Sequence, residues 1–495
     1  MKPVLNLGAW RHLNGSQGGS SLRLPAEHLV THAVVVGMTG SGKTGLCTVM
    51  IEEATRARVP TIVIDVKGDL PNLLLTFPSL DPSTLEPWLE LDHEDTLEQR
   101  KVKAAELANR RRSALAEWQI GEAELAAYTA ATSVRVLTPG GTAGEPLHML
   151  SSLERRSARW DSDPEAARNA LTAAVSLVLR LLGREPDPAK SREHVLLSVL
   201  AERRLAAGQT AELGALMEDV LDPPINEIGA LSVDSFMKKS ERKALAAALN
   251  SLLAAPSFAS WRQGTTLDVG EWLTPKDKRT PIVIVSVAHL DDEERVLVLG
   301  VLLEEILSWV RTLPGSSRLR ALLMFDEVYG FLPPHPANPP TKRPLVSLMK
   351  QARAFGVGVV VATQNPMDLD YRALSNAGLW CIGRLQTDAD RARVLDGLAM
   401  AQTTDGQNVE LDTTFQRLAP RWFVVRNAHT TSPPILIQPR FAMALLRGPM
   451  TRKEIRAARG VKEEPATPNS PSGVQKPVES DPWAANGAQG ALRVT

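Results

Sequence analysis

Cysteine, aromatic residues and net charge are all scarce in this sequence, and their scarcity narrows the class of protein. The 495 residues include two cysteines, Cys47 and Cys381, which excludes a disulfide scaffold. Both lie in apolar segments, which predicts buried thiols in a reducing compartment. Lysine plus arginine equals aspartate plus glutamate, at 56 each, so no global basic field points to nucleic acid. Any contact with DNA would need a local basic patch.

Long hydrophobic runs are also missing. No apolar stretch reaches about 18 residues, the length that indicates a membrane-spanning helix, and the N-terminal residues lack the pattern of a signal peptide. We therefore expect a cytoplasmic protein without membrane insertion. The length allows two or three domains with a sizeable core.

What the sequence does contain is a glycine-rich loop with the spacing G-x-x-x-x-G-K-[ST]. It reads Gly37, Met38, Thr39, Gly40, Ser41, Gly42, Lys43 and Thr44, followed by Gly45. A β-type apolar segment precedes it and a helical pattern over 46–58 follows, which is the context that a phosphate-binding loop requires. Its glycines let backbone N–H groups approach an anion, Lys43 would reach the β- and γ-phosphates, and Thr44 would hold Mg²⁺. The sequence therefore predicts binding of ATP with Mg²⁺.

Apolar segments that end in polar residues predict an α/β fold with a mostly parallel sheet. The predicted strands cover 32–36, 61–65, 133–137, 281–287, 321–325, 358–362 and 380–383, with further β segments at 422–426 and 435–438. The predicted helices cover 46–58, parts of 92–131 and 151–260, 291–312, 345–355 and 388–397. Polar residues at the carboxyl ends of such strands are expected to converge on one ligand site.

The chain divides into four segments on composition. Residues 1–150 form the first half of the sheet domain, with a helical excursion at about 80–131, and residues 151–260 form a helical insertion. Residues 261–460 complete the sheet domain, and the tail 461–495, rich in Pro, Ser, Gly and Glu, is expected to be disordered. Residues 1–30 are predicted to be a short lead-in with a loop at 16–21, and 25–29 could wall a nucleotide base. The basic run at 110–112 is interpreted as a solvated helix face rather than a DNA patch.

Three strand ends carry the candidate catalytic side chains. Asp326 follows an apolar strand, the pattern of a Mg²⁺-associated acid, and Glu327 could orient or deprotonate a water. The alternative is a solvated pair of charges. Gln364 could sense the γ-phosphate or position water, or it could merely cap a loop.

The roles of several basic residues and of the charged segment 65–69 stay open between alternatives. Arg384 closes a strand and could reach the γ-phosphate of a neighbouring subunit, or it could pair with Asp388 or Asp390 within the chain. Lys350 and Arg353 are weaker candidates for the same role or for DNA. Segment 65–69 places Asp65 where it could support a water network, while Lys67 and Asp69 could equally pair on the surface.

These segments together resemble HerA-like ATPases of the HerA–FtsK group of ring-forming P-loop motors. The resemblance covers roughly 25–150 and 280–455, and its more specific parts are the acid pair, the Thr-Gln-Asn-Pro segment at 363–366 and the Gly-Arg-Leu-Gln segment at 383–386. It implies a RecA-like core, a hexamer with nucleotide at subunit interfaces, and ATP-driven translocation of double-stranded DNA, often with a nuclease or other effector. It also implies site roles: Lys43, Glu327, Gln364 and Arg384 catalytic, the last in trans, and Thr44 and Asp326 at the metal.

Two departures from the family pattern matter for function. HerA carries an N-terminal β-barrel that helps to assemble the ring and engage its nuclease, whereas 36 residues precede Gly37, so we expect no barrel. The helical segment 151–260 is larger than a minimal motor needs. The alternatives to a DNA motor are an ATP-gated scaffold for a protein partner and a coupling ATPase for export.

Overall fold

The fold is taken from a computed structural model. It describes residues 3–19, 21–90, 96–157, 159–364, 366, 369–370, 374, 377–385, 387–399, 405–430 and 432–461. Asn365 and Gln386 of the family-like segments and residues 462–495 of the predicted tail lie outside the described residues.

The strands, in chain order, are β1 Val4–Asn6, β2 Gly8–His12, β3 Gln17–Gly19, β4 Arg23–Pro25, β5 Ala33–Val36, β6 Thr61–Asp65, β7 Thr132–Pro139, β8 Glu145–His148, β9 Glu227–Ile228, β10 Leu231–Ser232, β11 Thr265–Thr266, β12 Thr280–Ser286, β13 Ala321–Asp326, β14 Val357–Thr363, β15 Leu379–Ile382, β16 Phe423–Asn427 and β17 Ile435–Pro439.

The α-helices are α1 Lys43–Arg56, α2 Pro82–Leu85, α3 Leu97–Ala116, α4 Glu122–Ala131, α5 Ser151–Glu154, α6 Arg159–Ser162, α7 Pro164–Leu181, α8 Arg192–Ala206, α9 Leu213–Leu221, α10 Val233–Phe236, α11 Lys239–Ala254, α12 Ala259–Arg262, α13 Val269–Leu273, α14 Asp292–Thr312, α15 Lys342–Gln351, α16 Asp388–Ala399, α17 Asp405–Arg417 and α18 Arg452–Ala458. Short 3₁₀ helices cover Ala26–Thr31, Leu70–Leu74, Glu86–Trp88, Pro256–Phe258 and Ala352–Phe355.

One large sheet organises the chain, which confirms the predicted α/β class. Its strand order is β11-β8-β7-β12-β6-β13-β14-β5-β15-β16-β17-β2-β3. Pairing is parallel from β11 through β15 and antiparallel from β15 to β3. The central strands are buried on both faces, and for this reason they appear in the sequence as continuous apolar runs.

Alternate side chains of each central strand enter two different cores. Val34 and Val36 pack in the core that the helices of 151–260 and α14 cover, whereas Ala33 and Val35 pack in the core beneath α1. The predicted helical segment 151–260 consists mainly of helices joined by loops, together with the small β9–β10 hairpin. Cys47 and Cys381 are buried free thiols, as predicted.

Membrane-spanning potential is weak in the part of the chain that the structure describes. No single helix there is long and apolar enough to cross a bilayer, although Lys239–Ala254 and Pro256–Arg262, bent by 75°, pass together on length and composition alone.

The N-terminal lead-in contains four strands, and one of them, β3 at Gln17–Gly19, lies within 16–21, which corrects the predicted loop. Strands β1 and β4 pair with each other, and β2 and β3 extend the large sheet beyond β17. These strands have three to five residues each, too few for a period-two pattern to stand out in a glycine-rich segment. The basic run at 110–112 on α3 is not entirely solvated. Arg111 donates hydrogen bonds to the backbone oxygens of Ala442 and Met443.

A buried ion cluster fixes helix α1 to the C-terminal segment. The Arg440 guanidinium lies 2.8 Å from a Glu52 oxygen and 2.9 Å from a Glu53 oxygen. Glu52 also accepts hydrogen bonds from the backbone N–H groups of Met443 and Ala444. The Asn6 N–H donates to Glu53 at 2.8 Å, so the cluster joins both chain ends to one helix.

We expect Arg440→Leu to lower the free energy of unfolding by about 3–5 kcal/mol, because two buried carboxylates would lose their counter-charge. The matched control is Arg56→Ala, which removes an arginine that also contacts Glu53, at 2.7 Å, but is 43% exposed. The control should cost about 1 kcal/mol or less. Urea denaturation of the variants measures both values, and equal losses would contradict the role assigned to the cluster.

Candidate functional site

The glycine-rich loop forms an open turn between β5 and α1, as predicted. Gly40 and Gly42 have φ values of +78° and +91°, a region that side chains disfavour. A Cβ on Gly37 would lie 2.5 Å from Ser41 Oγ, so the turn also needs glycine for space. Helix α1 begins at Lys43, which points the free N–H groups and the positive end of its dipole at the turn. This geometry suits an anion such as a phosphate.

The turn is hydrogen-bonded to the ends of the two strands that flank β5. The Gly37 N–H donates to Thr363 O at 3.2 Å, and the Met38 N–H donates to Arg384 O at 2.9 Å. The Gly383 N–H in turn donates to Val36 O at 2.7 Å. The backbone thus brings the strand ends that carry Gln364 and Arg384 against the loop.

Two buried carboxylates lie side by side at the same edge of the sheet. The register pairs Asp326 with Asp65 and Asp65 with Ser286. Asp65 accepts hydrogen bonds from Ser286 Oγ at 2.8 Å and from the Gly68 N–H at 2.9 Å, so it braces the turn after β6. Burial raises the pKa of Asp65 to about 6, and the Asp326 carboxylate adds to this effect.

Glu327 directly follows β13, and its side chain contacts the lysine of the phosphate-binding loop. Its φ is +60°, an uncommon conformation for a residue with a side chain. Its Oε2 lies 3.2 Å from Lys43 Nζ and 2.7 Å from Lys67 Nζ. Burial acts to raise the pKa of Glu327, but the two ammonium groups outweigh it and hold the pKa below its usual value. Lys67, which the sequence left open as a surface pair, therefore belongs to the site.

The donor set near the loop fits a divalent cation. Asp326 is 3% exposed, and its Oδ1 is buried without a hydrogen-bond partner among the described residues. Burial raises the pKa of Asp326; the Lys43 ammonium opposes this shift and the Glu327 carboxylate adds to it. An unpartnered buried carboxylate oxygen is costly without a cation. In the described part of the chain no group of three or more His, Cys, Asp or Glu side chains could hold a metal by itself, as expected where substrate phosphates supply ligands.

Gln364 and Arg384 occupy different positions around the loop. Gln364 Oε1 accepts a hydrogen bond from Thr39 Oγ1 at 2.9 Å, which links a strand end to the loop. The Arg384 side chain is exposed, and no ion pair to it occurs within the described ranges. Asp388 pairs with Arg391 and Asp390 bonds to Thr387, so the predicted intrachain alternatives are not formed.

A cavity beside the loop was missed by sequence reasoning. It has a volume of about 350 Å³ and is bordered by Gly42 and Gly45 on one side and by Arg421 and Phe441 on the other. The Arg421 guanidinium lies 3.8 Å from the centre of the Phe441 ring, and the Arg421 N–H donates to Ser41 O at 2.8 Å. The prediction that 25–29 borders the nucleotide base is wrong. This segment precedes β5 and lies at the amino ends of the strands, whereas the loop follows β5 at the carboxyl ends.

Lys350 and Arg353 also lie far from the loop of their own chain. They occur at the end of α15 and in the 3₁₀ helix that precedes β14, at the amino ends of the parallel strands. The phosphate-binding loop lies at the carboxyl ends, so these two cations belong to a different surface.

Comparison with known proteins confirms the resemblance and the fold. The family model "Helicase HerA, central domain" matches residues 12–140. The structure of VirB4 of Thermoanaerobacter pseudethanolicus is similar, with a TM-score of 0.50 and 13% identity over 88% of this chain and 96% of that one. The structure of the plasmid coupling protein TrwB in complex with ADP and Mg²⁺ has a TM-score of 0.45 and 12% identity, over 86% of this chain and 89% of that one. No curated protein sequence matches. The fold is that of RecA-like P-loop NTPases.

The buried Asp65 predicts a pH dependence of stability. Because its pKa rises from 3.8 to about 6 on folding, the folded protein keeps a proton that the unfolded chain has lost, and stability falls as pH rises through this range. Relative to Asp65→Asn, the wild-type protein should therefore lose about 2 kcal/mol between pH ~4 and ~6. Urea denaturation across this range measures the difference.

The control for this experiment is Asp81→Asn. Asp81 is exposed, and the hydroxyl and N–H of Ser83 lower its pKa, so its contribution changes below pH ~4 and stays level above it. A level difference between wild type and Asp65→Asn from pH ~4 to ~6 would show that Asp65 is ionised throughout.

Proposed function

We propose that this chain is a Mg²⁺-dependent ATPase that assembles as a ring, a hexamer, and couples hydrolysis to the movement of double-stranded DNA. The observation that supports this most is the convergence of three strand ends on the phosphate-binding loop. Glu327 contacts Lys43, Gln364 bonds to Thr39, and the backbone oxygen of Arg384 accepts the N–H of Met38. The match to the HerA central domain favours the same function.

The nucleotide would lie across the start of helix α1. Its phosphates would accept hydrogen bonds from the N–H groups of the loop and from Lys43, while its base would enter the cavity that Arg421 and Phe441 border. Thr44 and Asp326 would hold Mg²⁺. When bound, this ion neutralises charge on the phosphate oxygens.

Binding of ATP would change the partners of Glu327. Lys43 cannot bind phosphates and keep its 3.2 Å contact with Glu327 unchanged, so Glu327 would retain Lys67 as its main partner. Loss of one ammonium group makes the carboxylate a better base, and Glu327 would then orient the attacking water and accept its proton. Gln364, bonded to Thr39 of the loop, would report the presence of the γ-phosphate.

The exposed Arg384 would act on the nucleotide of an adjoining subunit. A guanidinium stabilises the charge that develops on the transferred phosphoryl group. Supplying it in trans makes hydrolysis depend on ring assembly and couples neighbouring sites. Residues 1–150 and 261–460 would form the motor core, with 151–260 as an insertion that could engage a nuclease or another effector.

A second candidate function is an ATP-gated scaffold, or a coupling ATPase, that acts on a protein partner without moving DNA. The zero formal net charge and the large helical segment favour it. The two candidates share the same ATP site and differ in whether DNA affects turnover.

The trans role of Arg384 can be tested by mixing two inactive variants. We expect Arg384→Ala to lower ATP turnover by about a thousandfold or more while ATP binding persists, and Lys43→Ala to abolish turnover. In mixed rings about one interface in four would combine an intact Lys43 with an intact Arg384, so activity should return on mixing. Steady-state ATPase assays measure this.

The control for this test is Arg318→Ala, which removes an exposed arginine just before β13, at the opposite sheet edge, and should leave turnover unchanged. Particle-mass measurements must show that mixed rings form. Mixed rings without activity, or full activity of Arg384→Ala alone, would remove the proposed role.

Duplex DNA distinguishes the motor from the scaffold. For the motor we expect linear duplex DNA to stimulate ATP turnover severalfold at about 50 mM salt and less at about 200 mM, because phosphate contacts weaken with salt. Lys43→Ala serves as the control for contaminating ATPases. ATP turnover that is the same with and without DNA at both salt concentrations would favour the scaffold.

A further inference from the structure

A second cavity lies at the amino ends of the parallel strands, opposite the phosphate-binding loop. It has a volume of about 760 Å³. Its walls come from the 3₁₀ helix before β5, the loop before β13, the segment between α15 and β14, and the turn after β16. None of these residues has a role in the proposed ATPase site.

The charge of this cavity is positive and incompletely balanced. Lys350 and Arg353 line it and are exposed, and neither has a carboxylate within ion-pair distance in the described part of the chain. Glu27 is the acidic side chain among the described lining residues. Two cations that face a common cavity repel each other unless an anion joins them.

Two stacked imidazoles add uncharged donors to the same wall. The rings of His28 and His429 lie 4.3 Å apart and 12° from parallel. Burial lowers the pKa of both rings; His429 adds to this effect at His28, and Arg353 adds to it at His429. Both rings are therefore neutral at pH 7.

The hydrogen bonds around these rings fix their tautomers. Thr31 Oγ1 donates to His28 O at 2.8 Å, so its oxygen must accept the Nε2–H of His429 at 2.7 Å. The Asn427 side-chain NH₂ donates to His28 Nδ1 at 2.9 Å. Asn427 Oδ1 accepts the backbone N–H of His429, which fixes the orientation of the amide group. His28 consequently carries its proton on Nε2.

We propose that this cavity is a second anion site, one that binds a phosphoryl group. Its donors are an ammonium, a guanidinium, the Nε2–H of His28 and the hydroxyl of Ser317. This combination offers several N–H and O–H groups to a tetrahedral oxyanion. The phosphoryl group can belong to a small phosphorylated compound or to a nucleic-acid backbone.

The test measures binding of a phosphoryl probe to the full-length protein. Sodium pyrophosphate is titrated by calorimetry into the Lys43→Ala protein with no added Mg²⁺, which weakens binding of the probe at the phosphate-binding loop and leaves the probe unchelated. We expect Lys350→Ala/Arg353→Ala to weaken pyrophosphate binding by about tenfold or more, because two charge-assisted contacts are lost. The matched control, Lys101→Ala/Arg110→Ala, removes two exposed cations from α3 and should change the affinity by less than about twofold.

A second arm identifies the source of the phosphoryl group. Fluorescein-labelled duplex DNA is titrated by anisotropy under the same conditions. Weaker binding of both probes by the cavity variant assigns the site to a nucleic-acid backbone, and weaker binding of pyrophosphate alone assigns it to a small phosphorylated compound.

Other results would overturn the proposal. Undetectable pyrophosphate binding by the Lys43→Ala protein with an intact cavity, or equal losses in the two double variants, would show that the cavity binds no phosphoryl group. Neither arm requires hydrolysis, so a failure of the proposed ATPase function is a separate result.

Discussion

The position of helix α1 depends on the guanidinium of Arg440. Two consecutive glutamates on α1 face the interior, and Arg440 together with three backbone N–H groups satisfies them. Since α1 begins at Lys43, its placement sets the direction of the N–H groups that face the phosphate-binding loop. The same segment carries Phe441, which borders the neighbouring cavity. One buried ion cluster therefore positions both the start of α1 beneath the loop and the Phe441 side of the neighbouring cavity.

The parallel register supplies the rest of the site. Because β6, β12 and β13 end together, Asp65, Ser286 and Asp326 form a row at the carboxyl edge. Asp65 serves this row structurally, since both of its oxygens are occupied by hydrogen bonds, whereas Asp326 keeps one buried oxygen without a partner among the described residues. The left-handed conformation of Glu327 then brings its carboxylate to Lys43 and Lys67. The two neighbouring aspartates thus differ in their capacity to bind a further group, because their hydrogen bonds differ.

The sequence predicted those parts of the molecule that local pattern determines. Continuous apolar strands, the glycine turn and the polar strand ends at 326, 364 and 384 are all local, and the structure brings them to one edge. The Arg440 cluster, the Lys67–Glu327 contact and the Phe441 cavity join residues hundreds of positions apart, so no sequence window contains them. Strands β1 to β4 were missed because each is short and takes its stability from its partner strand rather than from its own composition.

Charge balance explains why one chain makes an incomplete ATPase under the proposed mechanism. In the structure Glu327 contacts two ammonium groups, Lys43 and Lys67, and both of these also interact electrostatically with the nearby carboxyl group of Asp326. A triphosphate adds about four negative charges, and Lys43 with Mg²⁺ would neutralise about three of them. As the γ-phosphate leaves, charge would spread over its oxygens, while Lys67 is held by Glu327 and the exposed Arg384 makes no ion pair among the described residues. Under the proposed mechanism a guanidinium from an adjoining subunit would complete the balance, and hydrolysis would then be a property of the interface rather than of the single chain.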